Sequence, residues 1–191
     1  EAVGDNVGIR VDANDHYSTE EAIKFINKIE QLNVEHVEQP ISRYDFLGMR
    51  EIRKSVNVPL MTDDMVSTPL DAMNVIRLDA ADRVKVKVTK HGIDGAIQII
   101  SMLSSAGKRA VLGHVFETGL AAVAEAHLAM LFPDIIGPHE IGSMEPLGVA
   151  DKILQEDPYC DHGSITIPEG VGLGVSVDWE QVENYKVNLF C

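Results

Sequence analysis

Short β-branched runs alternate with helix-spaced apolar stripes along most of this chain. The first run, residues 7–11, ends at Asp12-Ala13-Asn14. Ser18 then opens a helix, and Glu21 three residues on completes a capping box. Ala22, Ile23, Phe25, Ile26 and Ile29 give that helix its apolar face. Residues 34–37 form the next run, ending at Glu38-Gln39-Pro40, and residues 45–56 read as helix. A third strand, residues 58–61, ends at Asp63-Asp64; Thr68 caps a helix whose first position is Pro69. Residues 83–88 read as strand, 93–105 as helix with Gly107 past its end, 110–112 as strand and 120–131 as helix. Ile135-Ile136 would be one more short strand.

Strand and helix in strict alternation predict parallel strands joined by crossover helices. Runs such as 34–37 and 110–112 are nearly all apolar, as expected where both faces of a sheet are covered. The expected fold is α/β: an incomplete TIM-type (β/α) barrel over residues 1–150, then a tail over 151–191. Within the tail, residues 165–167 and 175–177 are expected to form a short β-hairpin around a glycine-rich turn. Gly170, Gly172 and Gly174 do not make a dinucleotide fingerprint, because no helix follows them and no βαβ unit encloses them.

Composition narrows the function classes. The chain has 191 residues, enough for one domain with a sizeable core. Its 30 acidic residues outnumber 16 basic ones, for a net charge of −14. Nucleic acid and anionic membrane faces would be repelled over most of such a surface. The longest apolar stretch, residues 120–132, contains Glu125 and His127 and is too short to span a bilayer. Two cysteines, Cys160 and Cys191, make no disulfide framework. With no signal peptide at its start, the chain reads as soluble and cytoplasmic. It opens on Glu1 in what reads as the end of a helix or loop, which suggests a piece of something longer.

The chemistry gathers at strand ends. Asp12, Glu38 and Asp63 each follow a strand, at spacings of 26 and 25 residues, about one β/α unit apiece. Strand C-termini of a parallel barrel open on one face. Three carboxylates aimed at one point need compensation. A hard divalent cation supplies it, and Mg²⁺ suits a few carboxylate oxygens, with Mn²⁺ as the alternative. A single Asp in a βα loop is ordinarily a helix cap; three in register differ. On the next strand, Lys85 and Lys87 alternate with Val84, Val86 and Val88, which puts both lysines on the barrel interior. A lysine there acts as a base of lowered pKa or neutralises the acidic ring. His114 and Glu117 follow the fifth strand on the same rim, whereas His91, His127, His139 and His162 read as structural.

The chain resembles the enolase superfamily, specifically the mandelate racemase and muconate lactonizing enzyme family. The matching pieces are Val11-Asp12-Ala13-Asn14, Val37-Glu38-Gln39-Pro40, residues 58–64, Asp82 through Lys87 to Gly92, Phe116-Glu117-Thr118-Gly119 and Gly172-Leu173-Gly174-Val175. The resemblance implies a modified barrel that takes a proton from beside a carboxylate and steadies the enediolate on Mg²⁺. It implies Asp12, Glu38 and Asp63 as metal ligands and Lys87 as acid/base. Glu117 would be a polar partner of a small carboxylate substrate, and Asn14 a support for the metal. Asp64 stands where the family usually has Glu, and His91-Gly92-Ile93 replaces a usual Gly-Gly pair. The family's further Lys-x-Lys motif is missing, since no lysine precedes Lys24. Its capping domain and first two barrel strands would precede residue 1.

Where the mandelate racemase branch has an Asp this chain has Lys87, so the site looks more like the lysine branch, which includes cycloisomerases, dipeptide epimerases, succinylbenzoate synthases and amino-acid racemases. His114 is then a second acid, a substrate contact or neither. The reaction expected is that of an isomerase or lyase: racemase or epimerase, cycloisomerase, or dehydratase. Two alternatives stay open: a catalytically silent metal-binding fragment, and an aldolase-type enzyme with Lys87 as Schiff-base lysine. An open barrel exposes strand edges that invite a second chain. A homo-oligomer is therefore expected in light scattering at micromolar concentration; a monodisperse monomer overturns that expectation.

Overall fold

The computed structural model describes residues 4, 6–115, 117–132, 137–141, 153–156 and 160–186. Five strands, β1 (Ile9–Asp12), β2 (Val34–Glu38), β3 (Leu60–Thr62), β4 (Arg83–Val86) and β5 (Arg109–Leu112), form one sheet in that order. Every neighbouring pair is parallel. Helices α1 (Thr19–Ile29), α2 (Phe46–Ser55), α3 (Pro69–Leu78) and α4 (Val88–Ser105) make the crossovers, and α5 (Gly119–Leu131) follows β5. This is the expected α/β architecture, an open segment of a (β/α) barrel.

Local chemistry starts each helix. Ser18 and Glu21 form the predicted capping box on α1. Thr68 and Asp71 form another on α3, with Pro69 in its first turn. Asp45 caps α2 by accepting from the Gly48 N–H at 2.8 Å. The core lies between helices and sheet. Ala22, Ile26, Met49, Ile52, Ala72, Val75, Ile99 and Leu103 from the helices meet Val37, Leu60, Val84, Val86, Ala110 and Leu112 from the strands. None of the described helices is long and apolar enough to cross a membrane.

Several elements depart from expectation, most by a residue or two. Strand β4 stops at Val86 rather than residue 88, because its ladder ends where the Gly113 N–H donates to the Val86 carbonyl. Lys87 is extended and becomes the N-cap of α4. That helix thus begins five residues before the expected Ile93, and Gly92, at φ 66° and ψ 169°, separates its first turn from the rest. The expected tail hairpin is not formed. Val177 bridges to Leu154, and Ser164–Ile165 (β7) pairs antiparallel with Cys160–Asp161 (β6). The turn between them is His162-Gly163, both at positive φ, the geometry a two-residue hairpin loop requires. A sixth helix, α6 (Trp179–Asn184), capped by Asp178, was not anticipated. Residues 135 and 136 lie outside the described residues.

One further segment shapes the interior. The Glu140 N–H donates to the Leu112 carbonyl at 2.9 Å, and His139 Nδ1 accepts from the Leu112 N–H at 3.3 Å. The same segment reaches β1, where Arg10 Nη1 donates to the Pro138 carbonyl at 2.8 Å. Residues 138–140 therefore span the gap between the two outer strands. Replacing the fully buried Leu103 by alanine is expected to cost about 2–5 kcal/mol in urea unfolding. Thr68→Ala is expected to cost about 1 kcal/mol; a neutral Leu103→Ala would refute this core.

Candidate active site and metal centre

Strand register decides which side chains face inward. Asp12 pairs with Glu38, Glu38 with Met61, Met61 with Arg83, and Lys85 with Val111. Their neighbours Val37, Leu60, Val84, Val86, Ala110 and Leu112 belong to the helix-packed core. Alternation therefore turns Arg10, Asp12, His36, Glu38, Met61, Asp63, Arg83, Lys85 and Lys87 to the barrel side. Lys85 and Lys87 are each only 5% exposed.

At the strand ends, Asp12 is clasped by Asn14, whose N–H and Nδ2 donate to its two oxygens at 3.0 and 3.1 Å. Asn14 adopts positive φ, 45°, a conformation asparagine tolerates. Asp63 is seated by Gln39, whose Oε1 accepts from the N–H groups of Asp63 (3.0 Å) and Met65 (3.3 Å). Both Asp63 oxygens are held by lysines: Lys87 Nζ donates to Oδ2 at 2.6 Å and Lys90 Nζ to Oδ1 at 2.8 Å. Burial by itself raises the Asp63 carboxyl, but the Lys90 charge and the two lysine bonds outweigh it and hold the group below its ordinary value. Asp64 turns to Arg43, at 2.8 Å, and Arg43 also grips Asp15 at 2.9 Å, tying the first and third strand-end loops together.

Glu38 and Lys85 form the buried centre. Lys85 Nζ donates to Glu38 Oε2 and to Glu140 Oε2, each at 2.6 Å. Gly113 leaves room for the lysine stem: a Cβ there would stand 2.7 Å from Lys85 Cδ. Of the two readings open for an interior lysine, Lys85 follows that of a cation neutralising the acidic ring. Burial pulls it down, but Glu38 and Glu140 together raise it, so Lys85 is a fixed cation. Glu38, 3% exposed, keeps Oε1 buried and without a partner. Burial, opposed by Lys85 and reinforced by Asp12 and Asp63, raises its carboxyl to about 7.

Two donor sets bear on a metal. Among the described residues, ligand atoms of His36, Glu38 and Glu140 come within 4.8 Å of one another, close enough to share a divalent ion. Asp12, Glu38 and Asp63 are not drawn together so tightly. The two sets differ in chemistry. Arg83 Nη1 donates to His36 Nδ1 at 2.9 Å, which leaves the proton of the neutral ring on Nε2 rather than a lone pair. Burial, then Arg83 and Arg10, lower His36 to about 4. Lys85 already stands between the other two ligands. Asp12, Glu38 and Asp63 offer hard oxygens at the strand ends, the donor type that fits Mg²⁺; Oε1 of Glu38 is a buried acceptor without a donor, while both Asp63 oxygens meet lysines.

The far wall comes from β5 and α5. Glu117, 7% exposed, accepts from Thr89 Oγ1 at 2.7 Å and from the Val115 N–H at 2.6 Å. His114 Nδ1 lies 3.8 Å from Glu117 Oε2. His91 is tied to backbone: Nε2 to the Val66 carbonyl at 3.0 Å and Nδ1 to Lys87. Glu125 is 1% exposed, with Oε1 accepting from the Val88 N–H at 3.3 Å.

Sequence reasoning did not single out Lys90, Glu140, His36 or Thr89. Lys90 had a visible signal, a cation one turn after Lys87. Glu125 had one too, a lone acid inside an apolar helix. Glu140 had none, since no periodicity surrounds it. Burial, and Glu117 nearby, raise Glu125 to about 8, against the opposing Val88 bond and Lys87 charge. The folded state thus holds a proton that the unfolded chain releases above about pH 4.5. Stability from this group is full below that pH and falls as pH rises towards 8. Glu125→Gln is expected to flatten the decline between pH 5 and 8 in urea unfolding curves; an unchanged slope would refute the assignment.

Comparison with known proteins identifies the family of the chain. Residues 1–182 match the family described as enolase C-terminal domain-like. The L-Ala-D/L-Glu epimerase of Bacillus subtilis is 36% identical over 176 residues, covering 91% of this chain and 47% of that protein. Muconate cycloisomerase 1 of Rhodococcus opacus is 30% identical over 190 residues, covering 98% of this chain and 50% of its own. A crystal structure of the dipeptide epimerase from Cytophaga hutchinsonii, complexed with Mg and the dipeptide D-Ala-L-Val, superposes with a TM-score of 0.87 at 29% identity. It covers 96% of this chain and 50% of that one. The chain spans about half the length of the curated relatives it matches. It belongs to the enolase superfamily, in the mandelate racemase and muconate lactonizing enzyme family.

Proposed function

We propose that this chain carries the catalytic face of a Mg²⁺-dependent isomerase that moves a proton α to a carboxylate. The observation that carries the reading is Lys87, 5% exposed and 2.6 Å from Asp63, beside Asp12 and Glu38 on adjacent strand ends. Asp12, Glu38 and Asp63 would hold the cation, which supplies positive charge to a developing enediolate. Lys87 Nζ exchanges the proton with the substrate's α-carbon. Asp63 and Lys90 fix where that nitrogen starts. Lys85 holds one Glu38 oxygen, leaving Oε1 for the metal. Glu117, oriented by Thr89 and the Val115 N–H, faces the substrate's polar groups, and His114 is a second contact there.

Epimerases of dipeptides and cycloisomerases of muconates are among the relatives, and a small carboxylate is the substrate class in this reading. The 151–191 tail is an appendage to the 1–150 barrel segment in this reading, joined to α5 where His127 Nε2 meets the Leu173 carbonyl at 3.2 Å. A second copy of the chain covers the outer edge of β1. The alternative of a silent metal-binding fragment draws support from one observation: both Asp63 oxygens are already committed to lysines.

One experiment separates these readings. Mn²⁺ is titrated by calorimetry into the protein and into Asp63→Asn, and α-proton exchange in D₂O is followed by NMR on a dipeptide panel. One saturable site, lost in the variant, together with exchange that Lys87→Met lowers at least ~10²-fold, is the expected result. Binding without exchange selects the silent fragment. Binding indifferent to Asp63 overturns the metal assignment.

A further inference from the structure

The turn that carries Lys87 is a small unit of its own. Gly92 cuts it from the body of α4, leaving Val88–His91 as one turn behind the Lys87 cap. Its near side is tied to the third strand-end loop: Lys87 and Lys90 to Asp63, and His91 to the Val66 carbonyl. Its far side is held by two carboxyl groups, one from the loop after β5 and one from α5. Glu117 takes the Thr89 hydroxyl at 2.7 Å, and Glu125 takes the Val88 N–H at 3.3 Å.

Glu125 stands out among these holds. It is 1% exposed on a helix whose neighbours are Ala121, Ala122, Val123, Ala124 and Ala126. A buried acid there is costly unless it is used, and the core would accept an apolar residue. Its contact is the amide directly after Lys87. This amide is one of the unsatisfied N–H groups of a helix start. The charged groups around it are Lys87 at the same turn and Glu117 from the preceding loop.

We infer that Glu125 is a positioning residue for Lys87, fixing the Val88 N–H, and with it the base-bearing turn, from behind. The inference rests on Lys87 being the acid/base of the proposed reaction, but its contact is testable without any substrate. Glu125 carries its proton at neutral pH, because its carboxyl is pushed up to about 8. It therefore anchors the turn without placing a second anion beside Glu117.

The test is amide and lysine NMR on the uniformly labelled protein, its Glu125→Gln variant and its Glu125→Leu variant. In the unaltered protein the Val88 amide signal is expected to move with a midpoint near 8. In Glu125→Gln that movement disappears, while the Val88 bond and the Lys87 side-chain signal persist, because the amide oxygen still accepts. In Glu125→Leu, Val88 exchanges with solvent roughly fivefold to tenfold faster, and the Lys87 signal shifts away from its Asp63-paired position. A pH-independent Val88 signal in the unaltered protein overturns the inference. So does a Glu125→Leu protein with native circular dichroism and an unmoved Lys87 signal. Should Glu125→Leu fail to fold, the Glu125→Gln comparison decides alone. These signals do not depend on turnover, so an inactive protein that shows them refutes the proposed reaction and leaves the anchor standing.

Discussion

Burying an ammonium ion costs several kcal/mol unless carboxylates meet it, and β4 with its cap buries two. Lys85 and Lys87 sit two residues apart on the inward side of a strand whose other face is Val84 and Val86. Each finds an anion at 2.6 Å, Lys85 in Glu38 and Glu140, Lys87 in Asp63. Those anions come from β2, from the end of β3 and from the segment beside β5. Much of the interior follows from this pairing. Gly113 opens space for the Lys85 stem, Gln39 seats the backbone at Asp63, and Arg43 binds the loops that carry Asp15 and Asp64.

The pairing also divides labour between two oxygens of one group. Glu38 gives Oε2 to a lysine and leaves Oε1 bare in a place water scarcely reaches. A buried acceptor without a donor is costly, and such costs persist where a ligand repays them. His36 sits one layer deeper and is neutralised by burial and by its arginine neighbours. Both layers are threaded by ion pairs, and each keeps a buried polar atom without a partner, Glu38 Oε1 above and His36 Nε2 below.

Much of the fold was legible because it is local. Capping boxes at Ser18 and Thr68, apolar helix faces and β-branched runs each lie within about a dozen residues, and the parallel order follows from their alternation. The strand-end carboxylates were legible through spacing. What the sequence hid is set by long-range geometry. Glu140 joins Lys85 across 55 residues, in a stretch with no period of its own. The Lys85 shift draws on that second carboxylate as well as on Glu38, which separates its role as a neutralising cation from that of a base. Gly92 was visible as a residue, but not the separate turn it creates, because Lys87 and Val88 read as strand until β4 runs out of partner backbone. The tail misled for a related reason: Val177 alternates well, yet its partner is Leu154, not the nearer run.

The contact between Arg10 and the Pro138 carbonyl has a kinetic meaning. Each adjacent strand pair closes a loop of one helix, whereas this bond joins residues 128 positions apart. Loop closure over such a separation is entropically expensive and comes after the local units are in place. The sheet can therefore add strands one unit at a time, while the inner wall that brings Glu140 to Lys85 assembles last. Until then Lys85 is a half-paired cation facing an open groove. On this ordering the Lys85–Glu140 contact is expected to close after the Lys85–Glu38 and Lys87–Asp63 pairs.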